Sequence, residues 1–174
     1  TININPDGTI GAEIAVTNIT TDAEIPVGHL LPVTGTIYAY ATLRPTTSRH
    51  AIRSVSISTN GLTISSPTIL EADTAVYNFQ DTFTLVSGTV FLSVRSHATL
   101  GTRVNTYSID GSGNITNVAN LQIDVGGGGS SNMTAVKVAN GVWAFSYGVG
   151  TTRRLRTVTL NNNGTFGAVI AVND

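Results

Sequence analysis

Short stretches of alternating apolar and polar residues run the length of the chain, broken at regular intervals by clusters of Gly, Asn, Asp and Ser. Alternation of this kind predicts β-strands with one face turned to a core, and the clusters predict tight hairpin turns between them. One series of turns reads Asn5-Pro6-Asp7-Gly8, Ser58-Thr59-Asn60-Gly61, Asp110-Gly111-Ser112-Gly113 and Asn161-Asn162-Asn163-Gly164. Their last glycines are 53, 52 and 51 residues apart. Four residues before each stands an aliphatic (Ile4, Ile57, Ile109, Leu160), and two after it come Ile10, Thr63, Ile115 and Phe166.

A second series lies between the members of the first: Val33-Thr34-Gly35-Thr36-Ile37-Tyr38, Val86-Ser87-Gly88-Thr89-Val90-Phe91 and Val138-Ala139-Asn140-Gly141-Val142-Trp143. From each first-series glycine to the matching turn position (Gly35, Gly88, Asn140) is 27 residues every time, so two independent registers agree. Tyr38, Phe91 and Trp143 form an aromatic column, which predicts packing between successive units.

Each period holds two hairpins and hence four short strands, named A to D: A and B flank the second-series turn, C and D the first. A unit of about 50 residues with four antiparallel strands, repeated, predicts an all-β fold of β-propeller blades, because stacked neighbours bury faces that one blade cannot. The alternative is an antiparallel β-sandwich of the same hairpins. The expected division is a half blade over 1–20 and blades over 21–73, 74–125 and 126–174. The glycine run 126–129 occupies a D-to-A connection of ordinary length, so the register predicts one continuous array. Three and a half blades leave a ring unclosed, and the expected partners are other copies of the chain or missing blades.

Composition narrows the function classes. Charged residues make up 11% and the net charge is −1, which lacks the basic excess of a nucleic-acid binder. Cysteine is absent, so disulfides and thiolate metal sites do not arise. No apolar run reaches the ~20 residues of a membrane-spanning helix. The chain opens on Thr1 with no charged-then-apolar leader, and the expectation is a processed or partial chain. The low charge and β-rich composition suit a secreted or surface-exposed protein.

In an antiparallel meander the connections alternate between the two ends of the sheet. This sorts the charges: all eight arginines fall in or beside B-C connections, and the D-A connections carry most of the carboxylates. The candidate ligand-binding face comprises Arg44, Arg49, His50, Arg95, His97, Arg103, Arg153 and Arg154, with Asp22, Glu24, Glu71 and Asp73. Guanidinium groups on loops suit a carboxylate or phosphate, which predicts a carbohydrate or other acidic ligand. The competing structural reading is that Arg pairs with Asp or Glu across adjacent loops and holds the blades in register.

His29, His50 and His97 lack the close spacing of a zinc set, and Asp110-Gly111-Ser112-Gly113-Asn114 lacks the further acidic ligands of a calcium loop. No nucleophile motif or phosphate-binding glycine loop is present. No cofactor, metal or catalytic residue is expected. The leading expectation is a non-catalytic binding or interaction module, lectin-like in kind; the alternatives are a fragment of a propeller enzyme such as a glycoside hydrolase, and a structural surface or fibre protein.

The C-D turns resemble the Asp-box of sialidase-like propellers, a turn reading roughly Ser-x-Asp-x-Gly-x-Thr-Trp. Asp7-Gly8-Thr9 is the nearest match; Asn60 and Asn163 replace the Asp elsewhere, and in the third turn it is shifted to Asp110. The resemblance covers the four turns and implies a propeller. Sialidases use three arginines on the loop-rich face, but no arginine here is matched to them individually.

Overall fold

A computed structural model describes residues 1–14, 25–44, 49–65, 68–73, 82–97, 100–124 and 130–173. The N-terminal hairpin pairs β1 (Ile2–Ile4) with β2 (Ile10–Glu13). The first blade follows as β3 (Ile25–Thr34), β4 (Ile37–Arg44), β5 (Arg49–Ser56) and β6 (Thr68–Asp73). The second is β7 (Thr82–Ser87), β8 (Val90–His97), β9 (Gly101–Ile109) and β10 (Ile115–Gln122). The third is β11 (Ser130–Ala139), β12 (Val142–Val149), β13 (Thr152–Leu160) and β14 (Phe166–Asn173). Each blade is an antiparallel sheet in chain order. Among the described residues no helix is long and apolar enough to cross a membrane.

The blades stack face to face: β3 lies against β7, β11 against β8 and β7, and β10 against β5, β6 and β14. Two apolar layers result. Between the first and second blades lie Ala39, Ala41 and Ile52 opposite Phe83, Phe91, Tyr107 and Ile109. Between the second and third lie Leu92, Val94 and Val104 opposite Trp143, Phe145, Val158 and Leu160. The middle blade thus has a core on each face, which follows from the period of two: Phe91 points back and Leu92 forward. In a two-layer sandwich each sheet would have one.

Two members of the aromatic column, Phe91 and Trp143, lie in the layers between blades as the spacing predicts. Phe91 stacks on Phe83 with ring centroids 5.4 Å apart, and Trp143 is buried in the second layer. Tyr38, half-buried, shares by register the face of the first blade turned away from the second.

The C-D turns share one construction. The glycine N–H donates to the carbonyl three residues back at all four, to Asn5, Ser58, Asp110 and Asn161, at 2.8 to 3.0 Å. A side-chain oxygen just before the glycine then accepts from the N–H two residues on: Asp7 from Thr9, Asn60 from Leu62 and Asn163 from Thr165. The third turn does this from its first position, where Asp110 accepts from the N–H groups of Ser112 and Asn114. The shifted aspartate therefore closes the same loop. The side-chain bond from Thr9, with that from its backbone, holds the Asp7 carboxyl below its ordinary range, and Asn114 acts likewise on Asp110.

Each turn glycine after the first is pressed against the preceding blade. Thr1 Oγ1 donates to the Gly61 carbonyl at 2.8 Å, Ser54 Oγ to that of Gly113, and Thr106 Oγ1 to that of Gly164 at 2.7 Å. A Cβ on Gly113 would stand 2.9 Å from Ser54 Oγ, and one on Gly164 3.0 Å from Val90 Cγ1. Both positions also have φ above +80°, which disfavours any side chain. A second tie joins the A strands, where Thr82 Oγ1 donates to the Met133 carbonyl at 2.6 Å.

Magnitudes rank these contacts. Truncating a buried Phe to Ala costs about 3–5 kcal/mol, whereas a neutral hydrogen bond contributes about 1 kcal/mol. The apolar layers hold the blades together and the hydroxyl ties set their register. Accordingly Thr106→Val, which keeps the shape and removes the donor, is expected to lower stability by about 1–2 kcal/mol, and Phe91→Ala by about 3–5 kcal/mol. Urea denaturation midpoints at constant slope check both; equal losses would refute the ranking.

Candidate functional site

The layer between blades changes character along its length. Near the C-D turns it is apolar, and toward the B-C connections it becomes polar. On the face of the second blade turned to the first, Phe91 is followed by Ser93 and Arg95, and Tyr107 is preceded by Asn105. All four of Ser93, Arg95, Asn105 and Tyr107 are buried. Arg95 Nη2 donates to Asn105 Oδ1 at 3.2 Å. His50 of the first blade is fully buried against this group, its Nε2 3.4 Å from Ser93 Oγ. Burial, and then the neighbouring Arg95 charge, push the His50 imidazole down to about 3, so it is neutral at physiological pH.

The second layer repeats the plan with the roles exchanged. Eight residues before the turn glycine stand Arg53, Asn105 and Arg156 in successive blades. Asn105 accepts from an arginine on strand B, whereas Arg156 Nε donates to Tyr147 OH, on strand B, at 2.6 Å. That hydroxyl donates to the Ile123 carbonyl at 3.3 Å. Burial raises the Tyr147 phenol, Asp124 adds to the rise, and Arg156 opposes it. Arg53, 2% exposed, holds the same position in the first blade.

Nearer the surface, Arg154 Nη1 reaches Asp124 Oδ2 at 2.6 Å, joining the third blade to the D-A connection of the second. His97 Nδ1 accepts the Leu100 N–H at 3.1 Å and closes its own B-C connection. Arg103 Nη2 donates to Asn120 Oδ1 at 3.0 Å on the outer surface. Arg153 is exposed.

The sequence-derived set thus divides. His50 and Arg95 lie inside a layer between blades, His97 caps a turn, and Arg154 pairs across blades, while Arg103 and Arg153 reach solvent. Asp22 and Glu24 lie outside the described residues, as does the glycine run 126–129; at Arg44, Arg49, Glu71 and Asp73 the description is of the backbone. Asn105, Asn120 and Tyr147, the acceptors that position the arginines, carry no charge and gave no signal in a reading based on charge. Only Asn105 had a signal in the register, since it stands eight residues before its turn glycine, where the neighbouring blades carry Arg53 and Arg156.

No group of three or more potential metal ligands occurs among the described residues. A recess of about 100 Å³ opens at the other end of the first layer, lined by Ser54, Ser56, Ser65, Thr68 and Ser112 with Ile37. Ligand pockets are typically about 300–1,000 Å³, so this one accommodates solvent rather than a sugar ring.

Two predictions follow from this geometry. His50 is neutral when folded and protonates near its ordinary 6.5 when unfolded, so the unfolded state binds more protons between about pH 6.5 and 3. Stability is full above pH 6.5 and falls by at most about 1.4 kcal/mol per pH unit below it. Urea midpoints at pH 7 and pH 5 are expected to differ more for the native chain than for His50→Gln; parallel behaviour of the two would rule out His50 as the cause. Arg154→Ala leaves the buried Asp124 carboxylate unpaired, with an expected loss of about 2 kcal/mol, below the figure for a wholly buried pair because Arg154 is partly exposed. Asp124→Asn in the Arg154→Ala background should recover part of it, which thermal midpoints would show.

The sequence matches no protein-family profile and no curated protein. Among solved structures, a crystal structure of a protein from Lactobacillus plantarum resembles 98% of this chain with a TM-score of 0.57 at 12% sequence identity. The chain spans 49% of that protein, and at this identity the likeness shows the fold alone.

Proposed function

We propose that this chain is a non-catalytic binding module built of β-propeller blades, related in turn design to sialidase-like propellers, which takes an acidic ligand, carbohydrate among the candidates, on the rim formed by its B-C connections. The observation that carries this reading is the rim of the second and third blades. Arg153 is exposed and Arg103 partly exposed there, and Arg154 of the same rim pairs with Asp124. A rigid scaffold presenting guanidinium groups at its loop end suits carboxylate or sulfate recognition. The stacked layers beneath supply rigidity, since both arginines stand on strands fixed by the apolar cores. A secreted or surface-exposed setting fits the low charge of the rest of the chain, and further blades or copies complete the ring.

The test is a glycan array carrying neutral, sialylated and sulfated sugars at two salt concentrations. Binding confined to acidic sugars, weakened by salt and reduced about tenfold or more by the Arg103→Ala, Arg153→Ala double variant, is the expected result. Equal binding to neutral sugars, or none to acidic ones, would remove this reading.

A further inference from the structure

The contact between blades uses fixed positions counted from each turn glycine. Seven residues before it stands the hydroxyl that ties a blade to the next turn: Thr1, Ser54 and Thr106, and in the last blade Thr157. Nine before it stands an aliphatic facing the next blade. Ile52 and Val104 are both 0% exposed, but Leu155 in the last blade is 46% exposed. Four before it stands an aliphatic, and two after it, Thr63 excepted, an apolar residue facing the previous blade. Ile109 and Leu160 are buried and Ile115 and Phe166 pack against the layers, but Ile4 and Ile10 of the N-terminal hairpin are 66% and 74% exposed.

The two ends of the array are therefore the two halves of one contact. At the C-terminal end, the register Ala144–Thr157–Ala171 puts Thr157 on the face turned away from the second layer. Val136, opposite Ala144, shares that face and is 57% exposed. Among the described residues the Thr157 hydroxyl has no hydrogen-bond partner. At the N-terminal end, nothing lies within 4 Å of a Cβ built on Gly8, whereas the same place beside Gly61, Gly113 and Gly164 is occupied by Thr1, Ser54 and Thr106.

We propose that a second copy of this chain docks head to tail, its β1–β2 hairpin seated on the outer face of β11–β14. Ile4 and Ile10 of one copy cover Leu155 and Val136 of the other, and Thr157 Oγ1 donates to the Gly8 carbonyl oxygen. The occupant is a second copy because the chain carries both halves of a contact that it already makes three times within itself, at the same positions. Each pair retains one unused head and one unused tail, so the association is heterologous and continues to a closed ring or a fibre. The inference rests on the packing of blades; Arg153 shares the face of β13 that carries Leu155 and Thr157 and so borders this contact, whereas Arg103 of the second blade does not.

Solution mass by light scattering across a concentration series tests it. The native chain is expected to rise above monomer mass with concentration. Ile4→Glu blocks the head and Leu155→Glu the tail; both sites are exposed, so the β-sheet circular dichroism should be unchanged, and Ile10→Glu serves as a second head variant. Each alone should be monomeric, while Ile4→Glu mixed with Leu155→Glu should form a one-to-one pair, through the intact tail of the first and head of the second. Thr157→Val should weaken association about tenfold. A native chain that stays monomeric at every soluble concentration, a glutamate variant that still associates, or a mixture that fails to pair overturns the proposal. Loss of glycan binding with association intact would instead bear on the rim alone.

Discussion

A four-stranded sheet of this size has two faces and can cover neither by itself. The structure is organised by that constraint: the apolar side chains of one blade find their partners on the next. Phe91 and Leu92 are adjacent in sequence, yet they belong to different layers, one behind the second blade and one ahead of it. Stability is therefore shared between neighbours rather than held in any one sheet. The hydroxyl ties from Thr1, Ser54 and Thr106 are weaker than the layers they accompany, but they are directional, and a turn that slid along its neighbour would lose them.

The same layers also explain how a chain with few charges hides guanidinium groups. Arg95 and Arg156 enter from different strands, and each meets a neutral acceptor on the other strand, Asn105 and Tyr147 respectively. Burying a guanidinium is tolerable when its donors are matched, and an amide or phenol does part of this without a second charge to desolvate. His50 lies in the same polar zone and pays for its place by staying neutral. Ligand recognition, on the reading advanced above, is left to the arginines that stand beyond this zone.

What distinguishes the ends of the array from its middle is exposure at equivalent positions. Leu155 and Ile4 have the chemistry of Val104 and Ile109 but not their burial. The outer faces of the N-terminal hairpin and of the third blade keep the apolar character of internal ones. On the proposal made above, these apolar faces meet each other.

The strands, their grouping into three and a half units and the placement of Phe91 and Trp143 between blades were determined by sequence alone, because alternation and turn glycines are local properties that repeat at a readable interval. The position of the shifted Asp110 was also readable, though not that it closes its turn as its counterparts do. Tertiary structure decided which arginines are interior. Arg95 and Arg153 lie at the same end of their blades, and pattern gives both the same B-C assignment; Arg95 stands on the face covered by the first blade and is buried, while Arg153 stands on the face of the third blade turned away from the second and is exposed. Burial depends on what another segment brings to a face, and that information is not carried by the residue or its immediate neighbours.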